Sequence, residues 1–452
     1  MLLEQSLMRR VGCSLFTNEE KKLNEYKKEF ENIELPEEAL DKAIEAGFQK
    51  GKQERKRKPR VRFIMSAAMV AILLIGFFTS IRISPAFANY LSTLPGMEKI
   101  VELIRHDKGM MTAIEYEYYE ELGVSSKENG IEVIIDGAIA DENGLVLFYT
   151  LNANERQKEM FIESAKLKSL DGEEIVFGSM SYGFPHRSEE GEKSYSGTME
   201  YFFQEPLTAR EFQMDLEVKA DSITEDFSLN FALTDEIKTK KTYSLNKTVT
   251  IEGQKIEFVE ATVYPLRVAV HIKMDPENSK KLLEFEDLRL VDEYGEAWTK
   301  IVNGATGSRI SENEVILYLQ SNYFNEPEEL YLAFNRIQAI DKEDSDIVVD
   351  IQEGKILKQP PGNKLRDLQV GPRTIRFNLY TEKEFSYSLF SVAKDGDGNK
   401  IDINSNFWSG RESGVSEMGV EIENLKTYKN PISLELSFFP EWIKGEQKIK
   451  IK

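Results

Sequence analysis

Three hydrophobic patterns succeed one another along the chain. From Thr17 to about residue 50 the apolar side chains recur at helical spacing. Leu23, Tyr26 and Phe30 share one face, and Leu40, Ile44 and Phe48 share a second. Thr17-Asn18-Glu19-Glu20 has capping-box spacing, and Pro36 suits the first turn of the second helix. Residues 63–81 (FIMSAAMVAILLIGFFTSI) then run for 19 positions without a charge, between Arg62 and Arg82. At about 1.5 Å per residue that length covers roughly 28 Å, the thickness of a bilayer's hydrocarbon core, so the pattern predicts one transmembrane helix. Residues 93–122 predict two short helices, with Ile100, Leu103 and Ile104 on one stripe and Ile114, Tyr118 and Leu122 on the next. From Gly130 onward the period drops to two. Strand-length runs separated by Gly, Asn, Asp and Pro predict a mainly antiparallel β region.

The β region repeats in layout. Each unit opens with an apolar strand pair: Ile131 to Leu151, Ile256 to Ile272, and Ile375 to Val392. An acidic turn follows, at Asp171-Gly172, at Asp292 to Glu296, and at Asp395 to Asn399. Each unit closes with a proline ahead of alternating residues: Pro206, Pro327 and Pro431. The prolines stand 121 and 104 residues apart, the size of a β-sandwich. The sequence therefore predicts a cytoplasmic helical tail over 1–62 and a transmembrane helix over 63–81. Beyond them come juxtamembrane helices and a first sandwich over 83–240, a second sandwich over 241–358, and a third over 363–452. Pro360-Pro361-Gly362 marks the second joint.

Charge orients this layout. Between Lys50 and Arg62 lie eight Lys/Arg and one Glu, while beyond the span Arg82 stands alone until Lys99. Cationic flanks stay on the cytoplasmic side, which places the amino end inside and the β modules outside. Residues 1–62 carry 15 Lys/Arg and 12 Asp/Glu, a net of +3, so the remainder of the −20 total is −23. An acidic exterior argues against nucleic acid as a partner. Cys13, the only cysteine, falls on the inner side, so the outer modules have no disulfides, as in bacterial surface proteins. Ala86-Phe87-Ala88 has the form of a signal-peptidase site, but the long amino-terminal region and the 19-residue apolar run suit an uncut anchor better.

Chemistry is sparse. His106, His186 and His271 are scattered, and no nucleophile elbow, phosphate loop or zinc-protease motif occurs. Asp395, Asp397 and Asn399 resemble the start of a calcium loop, but Asn406 stands where the bidentate Glu belongs, so they are expected to form a turn. Trp298, Trp408 and Trp442 are expected to fill cores or cover joints. No cofactor, metal or catalytic residue is expected, and nothing argues for an enzyme. The two inner helices cannot bury much surface between themselves, which leaves two readings: a helix-in-groove ligand for a cytoplasmic protein, or a solvated tether.

Three stretches carry a family resemblance: NEEKKLNEYKKEFENIELPEEALDKAIEAGFQKGK, SPAFANYLSTLPGMEKIVELIRHDKG and NGIEVIIDGAIADENGLVLFYTL. Over roughly residues 18–155 the chain resembles the Firmicute single-pass membrane proteins whose outer region is domain of unknown function 4179. The segment around 240–355 resembles the immunoglobulin-like companion domain of that family. Members commonly pair with an extracytoplasmic-function sigma factor, so the resemblance implies an anti-sigma role and brings no catalytic residue. The zinc-binding His and Cys pattern of zinc-type anti-sigma factors is lacking. The expectation is a regulator in the cell membrane. Its partners are the lipid bilayer, a sigma factor held by Leu23, Tyr26, Phe30, Leu40, Ile44 and Phe48, and an extracellular ligand. The alternative is a surface structural or adhesion protein whose tail only anchors it.

Overall fold

The computed structural model describes residues 97–183, 186–301, 306–411 and 414–452, all within the unit Ile83–Lys452. The predicted inner helices, the predicted span at 63–81, and Arg62 and Arg82 lie outside the described residues. Among the described residues no helix is long and apolar enough to cross a membrane. These residues are mostly strand, in agreement with the period-two pattern.

Two helices precede the strands, α1 (Met97–Ile104) and α2 (Lys108–Glu115). Asp107 caps α2, its carboxylate accepting from the Met110 amide at 3.0 Å. The second helix ends sooner than its apolar spacing predicts. Glu117 turns left-handed (φ 57°), and the next two rings pack instead against aromatic neighbours: Tyr118 on Phe324 and Tyr119 on Phe148. Leu122 consequently sits in a strand.

The first module has seven strands: β1 (Glu120–Glu128), β2 (Ile131–Asp141), β3 (Gly144–Ser169), β4 (Phe177–Tyr182), β5 (His186–Phe203), β6 (Glu211–Ala220) and β7 (Ile223–Ala232). They form one sheet rather than two. The long β3 pairs with β2 and β5 along its first part and with β6 along its second, so the sheet folds over a single core. Burial alternates along β2 and β6, and Val133, Leu147, Phe212 and Leu216 point inward together.

The second module continues with β8 (Lys241–Ile251), β9 (Gln254–Val263), β10 (Arg267–Met274), β11 (Lys280–Phe285), β12 (Arg289–Asp292), β13 (Ala297–Trp298), β14 (Gly307–Ser311), β15 (Glu314–Gln320) and β16 (Leu330–Asp341). One sheet runs β14-β15-β10-β9-β8. It faces a second, β11-β16-β12-β13, across a core that includes Phe258, Phe285, Phe334 and the fully buried Trp298. The third module comprises β17 (Asp346–Asp350), β18 (Lys355–Lys358), β19 (Leu365–Val370), β20 (Thr374–Tyr380), β21 (Phe390–Lys394), β22 (Lys400–Ile401), β23 (Ser405–Arg411), β24 (Val415–Glu421) and β25 (Ile432–Leu436). Its sheets run β18-β17-β25-β21-β22 and β19-β20-β24-β23 around Ile375, Phe377, Met418 and Leu434.

The acidic turns repeat in atomic detail. Asp292 accepts from the amides of Tyr294 and Glu296, and Asp395 from those of Asp397 and Asn399; Asp171 accepts from Glu173. Each carboxylate closes its own turn by satisfying nearby backbone donors, as a turn-forming aspartate does.

Three features differ from the sequence layout. The third unit's paired apolar strands are β19 and β20, since β20 and β21 lie in different sheets. Pro360-Pro361-Gly362 falls inside the third module, because β17 and β18 before it already belong to that module's sheet. The last strand, β26 (Trp442–Lys450), pairs not with the third module but with β16 of the second. Sequence distance conceals such pairing; a module closed by a strand from beyond its neighbour leaves no local periodic signal.

Candidate functional site: the joint between the first two modules

Burying charge costs free energy unless it is paired, so buried charge marks where a structure is doing something specific. Asp141, Glu200 and Arg267 are buried at the place where α2, the β2–β3 hairpin and the second module meet. Asp141 ends β2. Its carboxylate accepts from the Asn143 amide at 2.8 Å within the turn and from the Leu266 amide of the second module at 2.9 Å. The Asn143 side chain donates to the Phe203 carbonyl at 2.7 Å, holding the turn against β5.

Arg267 opens β10 and is 1% exposed. Its Nη2 donates to the Asn143 carbonyl at 2.9 Å and to the Asn143 Oδ1. The guanidinium lies between the rings of Phe202 and Tyr318, 3.8 and 4.2 Å from their centroids, and the rings are nearly parallel at 6°. Its Nε and Nη1 find no acceptor among the described residues, so the two π-faces supply what hydrogen bonds do not. The clamp thus joins Phe202 and Asn143 of one module to Arg267 and Tyr318 of the next.

The electrostatics are those of a dry site. Burial pushes the Glu200 carboxyl up to about 7, the Asp107 charge adds to the rise, and Arg267 opposes it. Burial pushes Asp107 up to about 6 against the amides of Met110 and Gly109. Asp141 is raised by burial, with Arg267 and three backbone amides working the other way.

The helices are wedged into the same joint. Lys108 Nζ donates to the Ala297 carbonyl at 2.8 Å, and Gln320 Nε2 donates to the His106 carbonyl at 3.0 Å. At Gly109 an added Cβ would stand 2.7 Å from the Ser321 backbone nitrogen, so only glycine permits this approach. Ile104, Met111 and Ile114 pack with Val146 and Phe148 of the first module and with Leu266 of the second. Tyr116 stacks on Phe324 at 5.6 Å.

Elsewhere the chemistry is quiet. An open cleft of about 530 Å³ is lined by Lys255, Lys273, Asp275 and Glu314, but these pair with one another: Lys255 with Asp275 and Lys273 with Glu314, both at 3.4 Å. Among the described residues no group of three or more His, Cys, Asp or Glu is arranged to hold a metal. Trp298 fills the second core and Trp442 packs against the third. Trp408 is partly exposed and donates to the Phe385 carbonyl at 3.0 Å.

The sequence-predicted partner residues Leu23, Tyr26, Phe30, Leu40, Ile44 and Phe48 lie outside the described residues. In the sequence Asp141-Glu142-Asn143-Gly144 is only the polar break inside the apolar strand pair Ile131 to Leu151, and no pattern singles out Glu200 or Gly109. A lone arginine opening the apolar run RVAVHI was the available signal.

Comparison with known proteins falls on the two sides of this joint. Residues 55–153 match the model described as Domain of unknown function (DUF4179), and residues 240–359 the one described as Family of unknown function (DUF5643). The crystal structure of the conserved domain protein from Bacillus anthracis is similar at 18% identity over 53% of this chain and 84% of that one, with a TM-score of 0.37. No curated protein matches the chain. The two matches agree with the pairing that the sequence resembles, and Asp141 in the first matched stretch meets the Leu266-Arg267 segment in the second.

Proposed function

We propose that this chain is a single-pass membrane regulator, with residues 1–62 in the cytoplasm, 63–81 across the bilayer and immunoglobulin-like modules outside. Its inner helices hold an extracytoplasmic-function sigma factor through Leu23, Tyr26, Phe30, Leu40, Ile44 and Phe48. Its outer modules respond to an envelope ligand and perform no chemistry of their own.

The observation that supports this reading is the wedge. α1 starts at Met97, 16 residues beyond Ile81 at the end of the predicted span, and α1 and α2 are packed against the first and second modules at once. Close-packed joints respond to force by switching between arrangements rather than by yielding gradually. A displacement of the outer modules is then passed to the helices nearest the membrane. A passive tether needs no such docking.

Replacing residues 1–49 by an unrelated helical sequence tests the regulatory half. Transcription from sigma-dependent promoters should rise, and the sigma factor should no longer copurify with the full chain in detergent. Unchanged transcription and copurification would remove the proposal. That outcome favours the second reading, a surface structural or adhesion protein, which the interlocked second and third modules also suit.

A further inference from the structure

The first module closes simply. Its post-proline strand β6 turns at Asp221-Ser222 into β7, and the two pair along their whole length, from Glu211 with Ala232 to Ala220 with Ile223. β16 and β25 occupy the corresponding place in the other modules, each following the proline that recurs in the layout and pairing on one side with the strands after the module's first hairpin. Each is also followed in sequence by a further strand. Those two strands are exchanged. β17, which follows β16, pairs with β25, from Asp346 with Glu435 to Val349 with Ile432. β26, which follows β25, pairs with β16, from Trp442 with Gln338 to Lys450 with Tyr331.

The two crossings run side by side. The Leu436 amide donates to the Ser345 carbonyl at 2.9 Å, the Ala339 amide to the Glu441 carbonyl at 3.0 Å, and the Phe439 amide to Gln338 Oε1 at 3.2 Å. Each exchanged strand sends its apolar side chains into the core it visits. Ile443 and Ile449 enter the second core, and Ile347 and Val349 enter the third. β26 has only those two buried side chains, and Lys444, Lys448 and Lys450 face outward. Outward lysines on an edge strand discourage indiscriminate pairing, so the edge it covers is guarded.

We propose that the β16 edge, Tyr331–Gln338, is a strand-exchange site whose occupant is residues 442–450 of this chain, and that a second copy can supply the occupant. A strand held by main-chain ladder bonds and two apolar anchors is the arrangement by which an extended peptide completes a sheet. A short crossing to a neighbouring module is the geometry from which the same strand reaches another molecule. The second and third modules consequently fold as one unit.

Two measurements on the full chain test this. In the first, the chain is ended after Glu441 and titrated with a peptide of residues 441–452. The peptide should bind and restore the lost thermal stability, and the Ile443→Asp, Ile449→Asp peptide should bind at least about tenfold more weakly. A folded shortened chain that ignores the peptide overturns the proposal. In the second, Cys13→Ser is combined with Ala333→Cys and Lys448→Cys, which face each other in register. Oxidised as purified, the chain should be a cross-linked monomer; unfolded and refolded at high concentration before oxidation, it should yield covalent dimers. Monomer alone under both conditions overturns the second-copy half.

Discussion

The molecule has two joints between modules, built on opposite principles. The first is a side-chain joint. Arg267 is gripped by two rings and a turn, two acids, Asp141 and Glu200, are buried beside it, and α1 and α2 are set into the gap. The second is a backbone joint, in which each module completes its neighbour's sheet with a strand. A joint of side chains and buried charge has alternative arrangements within reach of a small change in charge or packing. A joint of exchanged strands separates only when two sheets lose a strand together. The contrast places the adjustable element beside α1 and α2 and the rigid element between the second and third modules.

The largest effect should come from attacking the backbone joint through its anchors. Ile449 is 4% exposed in the second core, and Ile449→Asp puts an unpaired charge there. The cost is about 4 kcal/mol or more, above the usual range for a single substitution. Calorimetry should show the second and third modules melting together at lower temperature, although the substituted residue lies beyond the third module in sequence. If only the third module shifts, the modules are independent and the contrast between the joints fails.

Next comes the side-chain joint. Arg267→Ala removes the cation and leaves Asp141 buried without it, at a cost of about 3–5 kcal/mol. Because the clamp lies between modules, part of that loss should appear as separation rather than unfolding. The expected signature is faster amide exchange at Leu266 and Tyr318 while the second and third modules still melt together. Gly109→Ala is a smaller intrusion, about 1–3 kcal/mol, since the methyl has to displace the Ser321 backbone. It should loosen α2 against the second module, read as proteolytic cleavage between Ile104 and Lys108, and leave β pairing intact.

What the sequence disclosed and what it concealed divide along these same lines. Alternation in IEVIIDGAIADENGLVLFYTL is local, and the β2–β3 hairpin stands where that alternation puts it. The turns at Asp292 and Asp395 are equally local, because each carboxylate serves amides two and four residues on. The Asn143–Arg267 contact spans 124 positions, and nothing near either residue announces the other. The exchange of β17 and β26 is concealed for a related reason: both have ordinary strand patterns, and only their choice of partner is unusual. Module boundaries drawn from prolines cannot register a strand lent across them.

The smallest effect is the most specific to the side-chain joint, because it works through pH. Glu200 on β5 faces Asp107 at the start of α2 and Arg267 on β10. In the folded chain it keeps its proton up to about pH 7, against an ordinary value of 4.5. Between those values the folded chain binds more protons than the unfolded one, so stability falls as pH rises through that window and levels off above it. Asp107, raised to about 6, acts in the same direction. Exposed acids with lowered values, such as Asp171 and Asp215, act in the opposite sense but only below about pH 4, outside the window. Glu200→Gln keeps the shape of the side chain and removes its charge. It should stabilise the joint by about 1–3 kcal/mol at pH 8, leave it nearly unchanged at pH 4, and flatten the slope between. Denaturant melts at pH 4, 6 and 8 measure all three. An unaltered slope would mean that the buried acids do not carry the pH response of this joint, and its adjustability would then rest on packing at Gly109 alone.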